Sequence, residues 1–448
     1  MNANLPIAKP SAEMLAWHDA ELGVFFHWDI EIYQPDWIYG SETLPDVKLW
    51  NPAQLDTDQW LEMAKAAGAK YALLTAKHGT GFCLWPTRVH DYHVGNSSQP
   101  VDVVGEFVKS CRKYGIKPGL YYSLSGAHLT RLCRDENGEL DRHRLNEMLL
   151  AQLEELLTQY GELLEIWFDG GVLRPEKGGP DVLSVIRRTQ PNIVVFGGCP
   201  GTKNVLRWSG SEQGVAIPEC WSAAHYLDEP ERNNVLPDSP GDPADPVWAP
   251  VECDMPVRDV MRAFMGGWMY HEDDADTTYS GDYLFARYLT SIGRNANLLI
   301  GCVPDTKGLI SSDQQQAFRD LGKELDAAFG HPVAVATEMK DGTLTVFGTD
   351  MIEAKYIEIT EDQTDGQKVL SWVLESRWPE DWCTADNDRW IPIAEGKSIG
   401  HKRIVDLHAL RGYAFRVRVL DAYDGAKLTS MKVHGRVVPM KGHSFRNV

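Results

Sequence analysis

Residues 163–171 read Leu-Leu-Glu-Ile-Trp-Phe-Asp-Gly-Gly (LLEIWFDGG), an apolar run that stops at a carboxylate and two glycines. A run this short and this apolar suits a strand buried on both faces, and such strands belong to parallel sheets covered by helices. Asp169 at its tip is then a helix cap, a turn former ahead of Gly170 and Gly171, or a reacting group. The rest of the chain decides among these.

Working outward, seven further runs share the pattern: 22–28 (LGVFFHW), 71–78 (YALLTAKH), 117–124 (KPGLYYSL), 192–198 (NIVVFGG), 206–212 (LRWSGSE), 266–271 (GGWMYH) and 297–304 (NLLIGCVP). Between them, 56–67, 101–114 and 141–160 carry apolar residues at helical spacing, the first behind an aspartate. Strands alternating with helices predict an α/β fold, a (β/α)8-like barrel over residues 1–330. The Pro- and Asp-rich stretch 228–250 predicts a long loop. Beyond Gly330-His331-Pro332 short alternating runs such as TLTVFG, AKYIEIT and YAFRVRVLD take over, predicting a C-terminal antiparallel β-sandwich over 333–448.

The 448 residues are 43% hydrophobic and 24% charged, with a net charge of −20. That surface repels phosphate backbones and anionic lipid, which argues against nucleic acid and membranes as partners and suits a neutral substrate. No apolar segment long enough to span a bilayer and no signal peptide is read in the sequence, and the eight cysteines form no CxxC pair. They are read as reduced core thiols, with the cytoplasm as the expected location. The oligomeric state stays open.

In a barrel of this kind chemistry gathers at the C-terminal ends of the strands. There the sequence offers His27, His78, Tyr121, Asp169, Glu212 and the segment Trp268–His271. His90 and His93 (HDYH) have an i, i+3 spacing but no evident third ligand, so neither a metal nor a cofactor is expected. Two carboxylates among aromatics suit a sugar: rings cover its C–H faces, polar groups take its hydroxyls, and paired carboxyls cleave glycosidic bonds. Each residue also has a plainer reading. Asp169 could shape a turn, Glu212 could be a solvated loop residue, His27 and His78 could be core histidines, and Trp28, Trp85 and Trp268 core tryptophans. Convergence on one rim favours a shared site.

These motifs resemble glycoside hydrolase family 29, the retaining α-L-fucosidases. LGVFFHW is similar to the family's opening strand, LLTAKHGTGFCLWPT to its second-strand motif and EIWFDGG to its nucleophile motif. RWSGSEQG with CW, APVECD, GGWMYH and SIGRNANLLIGCVPD resemble the subfamily B pattern, whose members act mostly on α-1,3- and α-1,4-linked fucose. The resemblance runs from about residue 12 to 312. It implies a barrel followed by a β-sandwich, and a fucosylated oligosaccharide as substrate. It also implies Asp169 as nucleophile and Glu212 as acid/base. His27, Trp28, His78, Trp85, Tyr121 and Trp268 would then lie around the fucose, with Glu252 and Asp254 beyond it. One departure stands out: the family's two consecutive histidines are here His78-Gly79. A broader or α-1,2-acting fucosidase, an enzyme for a related 6-deoxy or galacto-configured sugar, a non-catalytic glycan binder and a metal-dependent hydrolase are the alternatives.

Overall fold

The structure is a computed structural model that describes residues 7–38, 41, 43–227, 239–378 and 390–439. Eight parallel strands close a barrel: β1 (Leu22–Phe26), β2 (Tyr71–Lys77), β3 (Lys117–Tyr122), β4 (Glu165–Trp167), β5 (Val194–Phe196), β6 (Val205–Trp208), β7 (Val251–Pro256) and β8 (Ala296–Cys302). Each pairs with its sequence neighbours, and β8 returns to β1 with Val24 opposite Ile300. Side chains alternate across each strand. On β1, Val24 and Phe26 point outward to the helices, while Phe25 packs inside with Tyr71, Leu73, Trp167 and Leu299.

The covering helices begin where aspartates supply an acceptor. Asp56, Asp102, Asp141 and Asp181 each accept the third free N–H of the helices Thr57–Ala66, Val103–Tyr114, Arg142–Gln159 and Val182–Thr189. Asp169 does not belong to this set, since the helix that follows β4 starts after Asp181. Among the described residues no helix is long and apolar enough to cross a membrane.

The seventh strand differs from the sequence reading. Phe264–Gly267 forms a short 3-10 turn, and the strand is Val251–Pro256. Its inward positions hold Glu252 and Asp254, so it does not read as an apolar run, whereas GGWMYH is apolar because Trp268 lies against the barrel mouth. The predicted loop 228–250 falls partly outside the described residues; at its end Val247–Trp248 pairs with Ala223–Ala224.

The last helix of the barrel ends at Phe329, and the first strand of an antiparallel sheet starts at Ala334. Six strands, β9 (Ala334–Ala336), β10 (Thr343–Glu361), β11 (Val369–Arg377), β12 (Ile391–Gly396), β13 (Arg403–Ala422) and β14 (Leu428–Val438), run in the order β9-β14-β10-β13-β11-β12. β10 and β13 are long and irregular in register at Phe347/Ile352 and Ala354/Tyr356. Residues from both ends of β10, such as Leu344 and Ile357, share one buried core with Trp372, Phe415 and Met431, as in a β-sandwich. This sheet docks where β1 and β8 begin. Glu21 meets His401 at 2.8 Å and Lys402 at 2.7 Å, and Asn295 accepts the His401 N–H at 2.7 Å.

Candidate active site

Strand parity builds the site. On β4, Glu165 and Trp167 point inward, and Asp169 continues that side just beyond the strand, exposed at the mouth. The Tyr121 hydroxyl, on the next strand, donates to Asp169 Oδ2 at 3.1 Å. On β1, His27 follows Phe25 inward and is buried. Burial, then the neighbouring His78, pushes its imidazole well below the ordinary range, so it is neutral.

His78 reaches the same mouth through a bulge. β2 pairs Thr75 with Tyr121 but Lys77 with Tyr122, so Ala76 is an extra residue. Lys77 therefore turns outward, over the Tyr122 ring at 4.2 Å, and His78 turns in against Tyr121, ring centroids 5.5 Å apart.

Glu212 follows β6 and is exposed. The half-buried Trp268 donates its indole N–H to Glu212 Oε2 at 2.9 Å. The Trp268 ring lies 4.5 Å from His27, and it fits because Gly301 on β8 has no side chain: a Cβ there would come within 2.4 Å of the indole. Asp254, inward on β7 and buried, accepts from the half-buried Trp208 indole at 2.6 Å. Burial raises its carboxyl to about 7, against the Trp208 bond and with the help of the negative charges of Glu212 and Asp169. Asp254 thus sits within electrostatic reach of both.

Three expected residues lie elsewhere. Trp28 is fully buried among Trp50 and Trp60 outside the barrel, because it follows the inward His27 and alternation turns it away. Trp85 is fully buried too, its indole donating to Glu155 Oε2 at 2.9 Å on the helix Arg142–Gln159. Glu252 is sealed inside the barrel, accepting from Tyr71 at 2.6 Å, two residues before Asp254 and so one layer deeper. None of the three faces the mouth. His90 contacts Gln152 and Cys83, and His93 accepts the Gly95 N–H, so the HDYH pair serves its own loop.

Two carboxylates that the sequence reading passed over lie beside His78. Asp29 and Glu31, just past β1, are both buried, and their ligand atoms and that of His78 fall within 4.8 Å of one another. The signal was present in FFHWDIEIY: two acids inside an otherwise apolar stretch.

Comparison with known proteins adds a consistent picture. Residues 7–328 match the family model described as alpha-L-fucosidase. The chain is 27% identical to alpha-L-fucosidase 1 of Arabidopsis thaliana over 88% of this chain and 81% of that one. A crystal structure of a candidate alpha-L-fucosidase from Bacteroides thetaiotaomicron superposes with a TM-score of 0.84 at 29% identity, covering 97% of this chain and 100% of that one. A family 29 fucosidase of Ruminococcus gnavus, seen in complex with fucose, shares the fold with a TM-score of 0.79 at 21% identity over 97% of each chain.

Proposed function

This chain belongs to the alpha-L-fucosidase family, glycoside hydrolases of family 29, and on that premise we propose that it is a retaining exo-α-L-fucosidase acting on terminal α-1,3/1,4-linked fucose of oligosaccharides or glycoconjugates. One observation carries the reading. Tyr121 holds Asp169 and Trp268 holds Glu212, and both rings pack around His27, at 6.0 and 4.5 Å. Two carboxylates are thereby fixed on one small mouth with an aromatic wall.

In the first step Asp169, ionised, attacks the anomeric carbon while Glu212 gives its proton to the departing oxygen. A covalent fucosyl-enzyme forms. Water then attacks the same carbon with Glu212 as base, and Asp169 leaves. Two inversions give net retention, for which carboxyls about 5–5.5 Å apart are the usual requirement. Glu212 is exposed in the free protein, so the sugar itself must exclude water around it. Trp268 offers the ring face for the sugar's apolar side. The linkage rests on the motifs RWSGSEQG, CW and APVECD. The seven described cysteines are buried and unpaired, which suits the cytoplasm.

The test is release of L-fucose from Lewis a and Lewis x trisaccharides, 2′-fucosyllactose and an aryl α-L-fucoside. NMR would follow the anomer first formed. Release chiefly from the Lewis glycans as α-L-fucose is expected. An initial β-anomer would overturn the retaining mechanism, and preference for 2′-fucosyllactose would overturn the linkage.

A second reading draws on Asp254. Its carboxyl holds a proton up to about pH 7 and lies near both Asp169 and Glu212, so Asp254 would be the acid and Glu212 a hydroxyl-binding group. Glu212→Ala and Asp254→Asn separate the two, as set out below.

A further inference from the structure

Glu31 is 1% exposed, and among the described residues neither of its carboxylate oxygens has a hydrogen-bond partner. His78 Nδ1 lies 3.6 Å from Oε1 and is itself buried and, among the described residues, without a hydrogen bond. An unpartnered buried carboxylate is costly unless something nearby carries a proton or positive charge for it. Asp29 adds a second acid, 3.9 Å from the same nitrogen, but its oxygens already accept from Ile30 N, Thr80 N and Thr80 Oγ1. Burial, then the Glu31 charge, raises Asp29 to about 7.

The groups facing His78 are therefore Asp29, Glu31 and His27 from the β1 side, Tyr121 from β3 and Asp169 beyond β4. Burial pushes its imidazole down. Glu31, as a nearby acceptor and as a charge, then the Asp29 and Asp169 charges, outweigh that and raise it. His27, 6.0 Å away, is pushed the other way. Two histidines on one mouth are shifted in opposite directions by their surroundings.

We propose that Glu31 is a positioning residue: it takes the Nδ1–H of His78 as a hydrogen bond, fixes the ring, and favours the imidazolium, in which Nε2–H is also a donor, toward the sugar and Asp169. This rests on the fucosidase reading for the identity of the sugar. It bears on the departure noted above, because with Gly79 in place of a second histidine the site has one imidazole at that position, and a fixed orientation makes that one donor dependable.

Histidine-labelled protein would be titrated by 1H–13C NMR, with the His78 signal identified by its loss in His78→Asn. The His78 titration is expected above its ordinary value of about 6.5 in the wild type. It should be lower by at least about one pH unit in Glu31→Gln and intermediate in Glu31→Asp. On an aryl fucoside, Glu31→Gln should raise KM about tenfold with a smaller change in kcat. A His78 that titrates at or below its ordinary value in the wild type, or that does not shift in a Glu31→Gln protein of unchanged melting temperature, overturns the proposal. So does a stoichiometric divalent cation found by elemental analysis whose chelation removes activity, since the triad would then be a metal site. If Glu31→Gln does not fold, Glu31→Asp and the wild-type titration still decide. The titration needs no turnover, so failure of the fucosidase reading would show separately, as absence of fucose release with the His78 shift intact.

Discussion

Strands β4 and β7 each carry two carboxylates on their inward side, one deep and one at the mouth. Glu165 and Glu252 lie deep and have no exposure; Trp17 donates to the first at 2.9 Å and Tyr71 to the second at 2.6 Å. Burial raises Glu165 to about 7, and burial with the Glu165 charge raises Glu252 well above the carboxylate range. Both deep carboxyls are driven toward their protonated forms, and each accepts one hydrogen bond from the barrel interior. Asp169 and Asp254, four and two residues further along, meet solvent or the rim. The same chemical group is enclosed at the deep end of both strands and meets solvent only beyond β4, at Asp169, while Asp254 stays buried beside Trp208. Water access and partner charge make the difference, not residue type.

The comparison breaks most sharply at Asp169. Asp169→Asn should lower kcat/KM at least about a thousandfold with little change in melting temperature, because Asp169 caps no helix. An unfolded variant would place it with the structural acids. Next come the two candidate acids. Glu212→Ala should cost about a hundredfold or more on a natural glycan but far less on an aryl fucoside with a good leaving group. Asp254→Asn should affect both substrates alike. The reverse pattern would transfer the acid role to Asp254.

The deep end also carries the docking of the C-terminal sheet. Lys402 bridges Glu21 and Glu358. Burial opposes ionisation of Glu358, but the His434 bond and the Lys402 and Lys432 charges hold it down at about 2. A lowered carboxyl stabilises the fold above its unfolded value near 4.5, and this is lost as pH falls toward 2. Lys402→Met leaves both acids without that partner and should cost about 2–3 kcal/mol in a denaturant titration at pH 7, with activity per folded molecule unchanged.

The effect at Glu165 has the opposite sign. Because the folded Glu165 carboxyl is raised, the native state binds more protons than the unfolded chain between about pH 4.5 and 7. Stability therefore falls across that window. Glu165→Gln removes this group's share of the slope, while the raised Asp29, Asp254 and Glu252 keep theirs. It should be about 3 kcal/mol more stable than the wild type at pH 8, relative to the difference at pH 4, with kcat/KM intact. An unchanged pH profile would mean the pair is not the proton store described here.

Most of the barrel was readable because its strands are short apolar runs bounded by helices. β7 was missed because its inward residues are Glu252 and Asp254, and a strand that lines a polar interior loses the apolar signal. The family resemblance puts Trp28 in the site, but alternation with the inward His27 turns it outward to Trp50 and Trp60. Trp85 had no such local clue, since its fate depends on Glu155, 70 residues away. Asp29 and Glu31 were visible as acids in an apolar stretch, but their meaning required His78 beside them.

The sequence by itself determined the alternation of strands and helices, the change of pattern after residue 332, and the carboxylate at the tip of β4, because periodicity and chain punctuation are local. Only the tertiary structure decided which aromatic meets the mouth, which acid is sealed below it, and that a single extra residue at Ala76 turns His78 inward. Those outcomes depend on parity carried across a closed sheet and on charges brought together from distant segments, where burial and neighbours set the state of each group.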